Sequence, residues 1–123
     1  MSPVAATEFS RIAILSSLPG ARLADLASRM RREDVVPGKT VVIEGEPGDR
    51  FYVVLAGMLE VTQAGRGTRT LLRPGDYFGE VSLVMDMPRT ASVRAVTPVT
   101  VASCDQAAFD EYIRPLFAED TAT

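Results

Sequence analysis

The chain has no histidine and no tryptophan, one cysteine, and only 7% aromatic residues. Without an imidazole there is no serine or cysteine triad of the kind that depends on one. His-based metal sites, common in zinc enzymes and in small β-barrel enzymes such as cupins, are excluded too. Cys104, alone, forms no internal disulfide and builds no thiolate cage, which fits a reducing compartment. The N-terminal MSPVAATEFS lacks a basic stretch followed by an apolar one, the mark of a secretory signal. Apolar runs such as Phe51 to Leu59 fall far short of the about 20 residues that cross a bilayer as a helix. Basic residues do not dominate: 13 Lys and Arg face 16 Asp and Glu, for a net charge of −3. A basic face for nucleic acid is therefore not expected. These absences predict a cytoplasmic, non-membrane-inserted protein with no nucleic-acid partner and no metal.

What is present suits one globular domain. The 123 residues are 46% hydrophobic and 24% charged, enough for a core that buries about two-thirds of the unfolded surface. Residues 7 to 31 read as helical: Phe9, Ile12 and Ala13 share a face, SSLPG interrupts, and Leu23, Leu26, Ala27 and Met30 recur at helical spacing. Arg29, Arg31 and Arg32 crowd the last turn, read as a solvated end that complements the helix dipole.

From Val35 the chain turns β-branched and aromatic, punctuated by EPGD, AGRG and RPGD turns about every ten residues, which points to a sandwich or barrel. ASVRAV and VTVASC alternate like half-buried strands, with Cys104 as a strand-end core residue. Asp105 reads as an N-cap for a last helix carrying Phe109, Tyr112, Ile113, Leu116 and Phe117 on one face. Pro115 predicts a kink or break near Arg114.

The stretch YFGEVSLVMDMPRTASV, Tyr77 to Val93, holds the chemistry. Gly79 permits a sharp bend and close approach by a ligand. EVSLV favours a short helical turn whose free N–H groups attract an anion. Arg89 offers a planar fork of donors that matches phosphate oxygens, and Glu80 accepts from hydroxyls. A ligand with a phosphate and a free sugar hydroxyl would satisfy both. A surface pair between Glu80 and Arg89 themselves satisfies the same residues, and these residues alone leave both readings open.

FGEVSLVMDMPRTASV resembles the phosphate-binding cassette of cyclic nucleotide-binding domains: Phe-Gly-Glu, an apolar residue, a small residue, Leu, variable positions, Pro-Arg, small or hydroxyl residues, then Val. EGEPGDRFYVVLAGMLEV, Glu44 to Val61, matches a second hallmark, a Gly-Asp turn feeding a strand and then a Gly turn. The resemblance covers nearly the whole chain and implies a mainly β fold, an eight-stranded antiparallel β-roll or jelly-roll barrel with N-terminal helices and a C-terminal helix. It implies one domain over 1–123: a helical segment 1–34, a barrel 35–104 containing the cassette 78–93, and a C-terminal helix 105–123 with a truncated lid.

By the same resemblance Arg89 pairs with the cyclic phosphate and Glu80 with the ribose 2′-hydroxyl. Backbone N–H groups of Gly79, Ser82 and Leu83 complete these contacts. Thr90 contacts the base and permits cyclic GMP without excluding cyclic AMP, and the base lies against Val61, Thr70 and Leu72. Gly48, Asp49 and Gly57 match turns that shape the barrel. The implied function is a non-enzymatic cyclic nucleotide sensor (cAMP, cGMP or both) that passes occupancy to an effector outside this chain through its C-terminal helix, with a homodimer as a possible assembly. The alternative is a barrel that has lost its ligand and serves as a protein-interaction domain. Haem-based gas sensing, found in some relatives of this family, lacks its usual histidine here.

Overall fold

A computed structural model describes residues 12–117, the side chains of 68 and 69 apart. Phe9 and the terminal 118–123 lie outside the described residues. A 3-10 turn at Ala13–Leu15 precedes helix α1, Gly20–Ser28. Eight strands follow: β1 Arg31–Val35, β2 Thr40–Val42, β3 Arg50–Ala56, β4 Leu59–Gln63, β5 Gly67–Leu72, β6 Tyr77–Phe78, β7 Ser92–Ala95 and β8 Val99–Asp105. Helix α2, Glu80–Met85, sits between β6 and β7. Helix α3 begins at Gln106–Ala108, widens into a π turn at Phe109–Ile113, and continues to 117.

The strands form two antiparallel sheets, ordered β1-β8-β3-β6 and β2-β7-β4-β5. The pairs β1·β8, β2·β7, β3·β6 and β4·β5 nest like the rungs of one long hairpin whose tip is β4–β5. Rolled up, so that β3 also meets β8 and β4 meets β7, that hairpin is a jelly roll, the mainly β architecture expected from the sequence. One consequence places the site: β6 belongs to one sheet and β7 to the other, so the segment joining them, α2 included, bridges the two sheets.

Strand periodicity divides the core in two. From β3 and β8, Val54, Val99 and Val101 point between the sheets to meet Val35, Val42, Leu59, Phe78 and Val93. The alternate residues Phe51, Val53, Ala102 and Cys104 point outward, where Leu15, Leu26, Phe109 and Ile113 cover them. Cys104 is fully buried, and that burial pushes its thiol up to about 12, so it is an inert core residue as expected.

The N-terminal segment departs from the sequence reading in three places. The first strand begins at Arg31, inside the segment 1–34 read as helical, so Arg31 and Arg32 do not lie in a helix's last turn. Arg29 is not merely solvated: its guanidinium meets Glu111 of α3 at 2.8 Å and Asp105 at 3.9 Å. Ala13 is exposed, and Ile12 and Leu15 are the buried pair instead.

The C-terminal helix is neither broken nor ended near Arg114, which keeps helical dihedrals of φ −53° and ψ −41°. Pro115 has no N–H to give, and the chain adapts upstream by widening its turn, with the Arg114 N–H reaching back to the Phe109 carbonyl. The Glu111 carbonyl, four residues before Pro115, accepts from Arg22 Nη2 at 3.1 Å. Asp105 caps the start, accepting from the Ala108 N–H at 2.9 Å.

Candidate functional site

Gly79 closes β6 in a left-handed conformation, φ 93°, and serves as the N-cap of α2. A Cβ there would lie 2.9 Å from the Arg50 carbonyl oxygen and 3.0 Å from Arg89 Nη1, so the position needs glycine for both its dihedral and its space. α2 turns Ser82 and Leu83 inward and ends at Asp86, again left-handed at φ 51°. The chain then runs through Pro88 to Arg89, whose backbone is gripped by the β2–β3 turn: Gly45 N–H donates to the Arg89 carbonyl at 2.8 Å, and Arg89 N–H donates to the Glu46 carbonyl at 2.9 Å.

This grip aims the Arg89 side chain into the molecule, where it is only 8% exposed. Nη1 donates to the Gly79 carbonyl at 3.0 Å and Nη2 to the Arg50 carbonyl at 2.9 Å. The guanidinium lies against Gly48, where a Cβ would stand 2.5 Å from both Cζ and Nε. Its neighbours are thus neutral carbonyls. Among the described residues no ion pair includes Arg89 or Glu80, so the two do not clasp each other. Burial lowers the Arg89 pKa, opposed by the electrostatic attraction of Tyr52, Asp49 and Glu80.

Glu80, the first residue of α2, is half-buried. Burial raises its pKa, against hydrogen bonds from its own N–H and that of Val81 and the charge of Arg89. Both charges of the site are therefore desolvated, and neither has a counter-ion in contact.

Beside them opens a cavity of about 210 Å³. Its polar wall is Gly79, Glu80, Ser82, Arg89 and Thr90, and its apolar wall includes Val42, Val61, Leu72 and Val93 from the second sheet. Seven of the positions singled out from the sequence thus converge: Gly79, Glu80, Ser82, Arg89, Thr90, Val61 and Leu72. Two do not. Thr70 is exposed opposite Val61 and lines no part of the cavity. Leu83 packs in the core beneath the helices. Its N–H is also the first that the helix itself occupies, because an α-helix leaves free only the four preceding, here Gly79 to Ser82.

Gly57 is a barrel-shaping turn as read, with φ 84° and a would-be Cβ 2.2 Å from the Pro98 carbonyl oxygen. Gly48 is more than that, since what it makes room for is the Arg89 guanidinium. No local pattern in the sequence marks this, because the two are 41 positions apart, 48 against 89. Tyr77 and Phe78 also line the cavity without having been singled out for it.

Comparison with known proteins gives a family and a fold. A family model described as "Cyclic nucleotide-binding domain" matches residues 32–115. The chain is 42% identical over 106 residues to the cAMP-dependent protein kinase regulatory subunit of Yarrowia lipolytica, covering 85% of this chain and 28% of that one. It thus spans about a quarter of that relative's length. Among solved structures it superposes on the regulatory domain of Toxoplasma gondii PKA with cAMP at a TM-score of 0.88 and 27% identity, over 95% of this chain and 48% of that one. A regulatory subunit of a cAMP-independent protein kinase A from Trypanosoma brucei also reaches 0.88, at 23% identity over 94% and 43% of the two chains, a likeness of fold.

Proposed function

Because this chain belongs to the cyclic nucleotide-binding domain family, we propose that it binds a cyclic nucleotide in the cavity beside α2 and acts as a regulatory module, not an enzyme. One observation carries the reading: Arg89 is buried against two carbonyl oxygens, without an anion. A cyclic phosphate supplies the missing charge, and the guanidinium fork presents donors in the geometry such a group accepts. Glu80 takes the ribose hydroxyl, and the Gly79 and Ser82 N–H groups at the start of α2 take remaining oxygens. The base lies on the apolar wall at Val61 and Leu72, within reach of Thr90. Thr90 accommodates either purine, so cAMP and cGMP are both ligands to test.

Occupancy passes to α3, because α2 and α3 touch directly: Arg114 Nη2 donates to the Leu83 carbonyl at 2.7 Å. The output belongs to an effector outside the chain. Its named relative is a regulatory subunit of a cAMP-dependent kinase, which makes a protein kinase catalytic chain the partner to seek first.

The test is calorimetric titration of the chain and of Arg89→Ala with each nucleotide. Leaving a buried charge pair half-made costs about 2–5 kcal/mol, so the variant should bind tens- to thousands-fold more weakly, with its fold intact. Equal affinity in parent and variant overturns the reading.

A further inference from the structure

Thr90, an exposed residue, sits between Arg89 and the strand that follows, and its carbonyl accepts from a side chain of β4. The Arg89 carbonyl has the Gly45 N–H, but the ladder between β4 and β7 stops at the pair Thr62 and Ser92. The next residue of β4, Gln63, continues it with a side chain: Nε2 donates to the Thr90 carbonyl at 3.0 Å. Gln63 is half-buried and lines no part of the cavity. The flanking contacts are tied to the same strand end. Glu44 Oε1 accepts from the Ala64 N–H at 3.0 Å, and the Glu44 N–H donates to Ser92 Oγ at 2.9 Å. The segment 89–92 is therefore held from two sides, and at Thr90 the hold is one side-chain amide.

We infer that Gln63 is a positioning residue that sets purine selectivity, by fixing through the Thr90 carbonyl where the Thr90 hydroxyl stands at the cavity. The inference rests on the proposed nucleotide site and names what tunes it. A hydroxyl contact to one purine and not the other depends on angle and distance. A Thr90 peptide free to rotate presents its hydroxyl less well, whereas the phosphate grip of Arg89, anchored separately at Gly45 and Glu46, stays in place. Gln63 should thus alter the ratio of the two affinities more than it alters either binding event in common.

The experiment titrates the full chain with cAMP and cGMP as parent, Gln63→Ala, Gln63→Glu (same size, no donor when ionised) and Gln63→Arg (donor kept), each with Thr90 intact and with Thr90→Val. One ordinary hydrogen bond changes an equilibrium about two- to ten-fold, and the ratio of dissociation constants should move by that much in Gln63→Ala and Gln63→Glu. Gln63→Arg should keep the parent ratio. With Thr90→Val the Gln63 substitutions should have no further effect on the ratio, which a merely structural role would not produce. In the free protein, the Ala91 amide shares a peptide plane with the Thr90 carbonyl, and its NMR signal should shift in Gln63→Ala and return in Gln63→Arg. An unchanged ratio, or the same change with and without the Thr90 hydroxyl, overturns the inference while leaving the site standing. A parent that binds neither nucleotide overturns the site, and the inference with it.

Discussion

Burial costs both charges of the cavity, and for Glu80 the cost depends on pH. Its pKa is raised in the fold, with burial the largest cause. While the carboxyl is protonated in both states, below the ordinary Glu value of about 4.3, folding carries no such penalty. The penalty grows as pH rises above that value and is complete once pH passes the raised folded-state pKa. Glu80→Gln keeps an oxygen for the two N–H groups that it caps and removes the charge. Its melting temperature should therefore exceed the parent's at pH 7 and converge with it below about pH 4. The same change should weaken nucleotide binding about tenfold, the difference between a charge-assisted hydrogen bond and a neutral one. A melting temperature lowered at every pH would show that Glu80 stabilises the empty fold, contrary to this account.

Gly48 is the second residue whose role is best read one contact at a time. Its φ lies outside the left-handed region, so alanine is acceptable to the backbone, and the nearest atoms a Cβ would meet all belong to the Arg89 side chain, at 2.5 to 2.8 Å. Gly48→Ala should leave the protein folded and displace the guanidinium from its two carbonyls, lowering nucleotide affinity. In an Arg89→Ala background the same substitution should cost nothing more, and a double-mutant cycle by calorimetry measures this. Full additivity would place the effect elsewhere in the turn.

At the scale of elements, α2 and α3 are joined by apolar packing and by one polar bridge. Leu83 shares its core with Phe109 and Ile113, and Arg114 spans from Asp110, at 2.9 Å, to the Leu83 carbonyl. Arg114→Ala removes the bridge and leaves the packing. A charge-assisted hydrogen bond of this exposure contributes on the order of 1 kcal/mol, so the melting temperature should drop by a few degrees. Hydrogen exchange should quicken across 106–117. Unchanged exchange there would mean that packing alone couples the two helices.

These elements differ in how openly the sequence announces them. β7 and β8 declare themselves by apolar alternation, β3 by its β-branched and aromatic run, and the cassette by its resemblance to a known motif. β1 does not, because Arg31, Arg32, Glu33 and Asp34 have charged side chains with poor strand propensity. It is a strand because β8 offers it a full antiparallel backbone partner, a fact set by tertiary pairing. The π turn is hidden for the same kind of reason. Pro115 advertises a break, and what prevents it is the helix face of Phe109, Tyr112 and Ile113 held in the core, with Arg22 occupying the freed Glu111 carbonyl. The apolar wall was legible only by strand: Leu72 and Thr70 share a face by parity, yet Leu72 lines the cavity and Thr70 stands exposed near the hairpin tip.

For the whole molecule the jelly roll makes the cavity a joint between sheets. Gly79 and Glu80 leave the sheet of β3 and β8, Val61 and Val93 belong to the other, and Arg89 ties the two through the Arg50 carbonyl on β3 and its own approach to β7. A nucleotide filling that joint touches both sheets and α2 at once, and no such set of contacts persists in the unfolded chain. Binding should therefore stabilise the entire cooperative unit, not the cassette alone. Ligand at one hundred times its dissociation constant adds about 2.7 kcal/mol, which for a domain of this size raises the melting temperature by about 10 °C. The gain should grow with the logarithm of nucleotide concentration and shrink in Arg89→Ala, at the same nucleotide concentration, to about 3 °C or less. Hydrogen exchange measured alongside should slow in β6, β7, β4 and α3 together. Protection confined to α2, with no rise in melting temperature, would mean that the ligand orders a loop and leaves the joint between the sheets as it was.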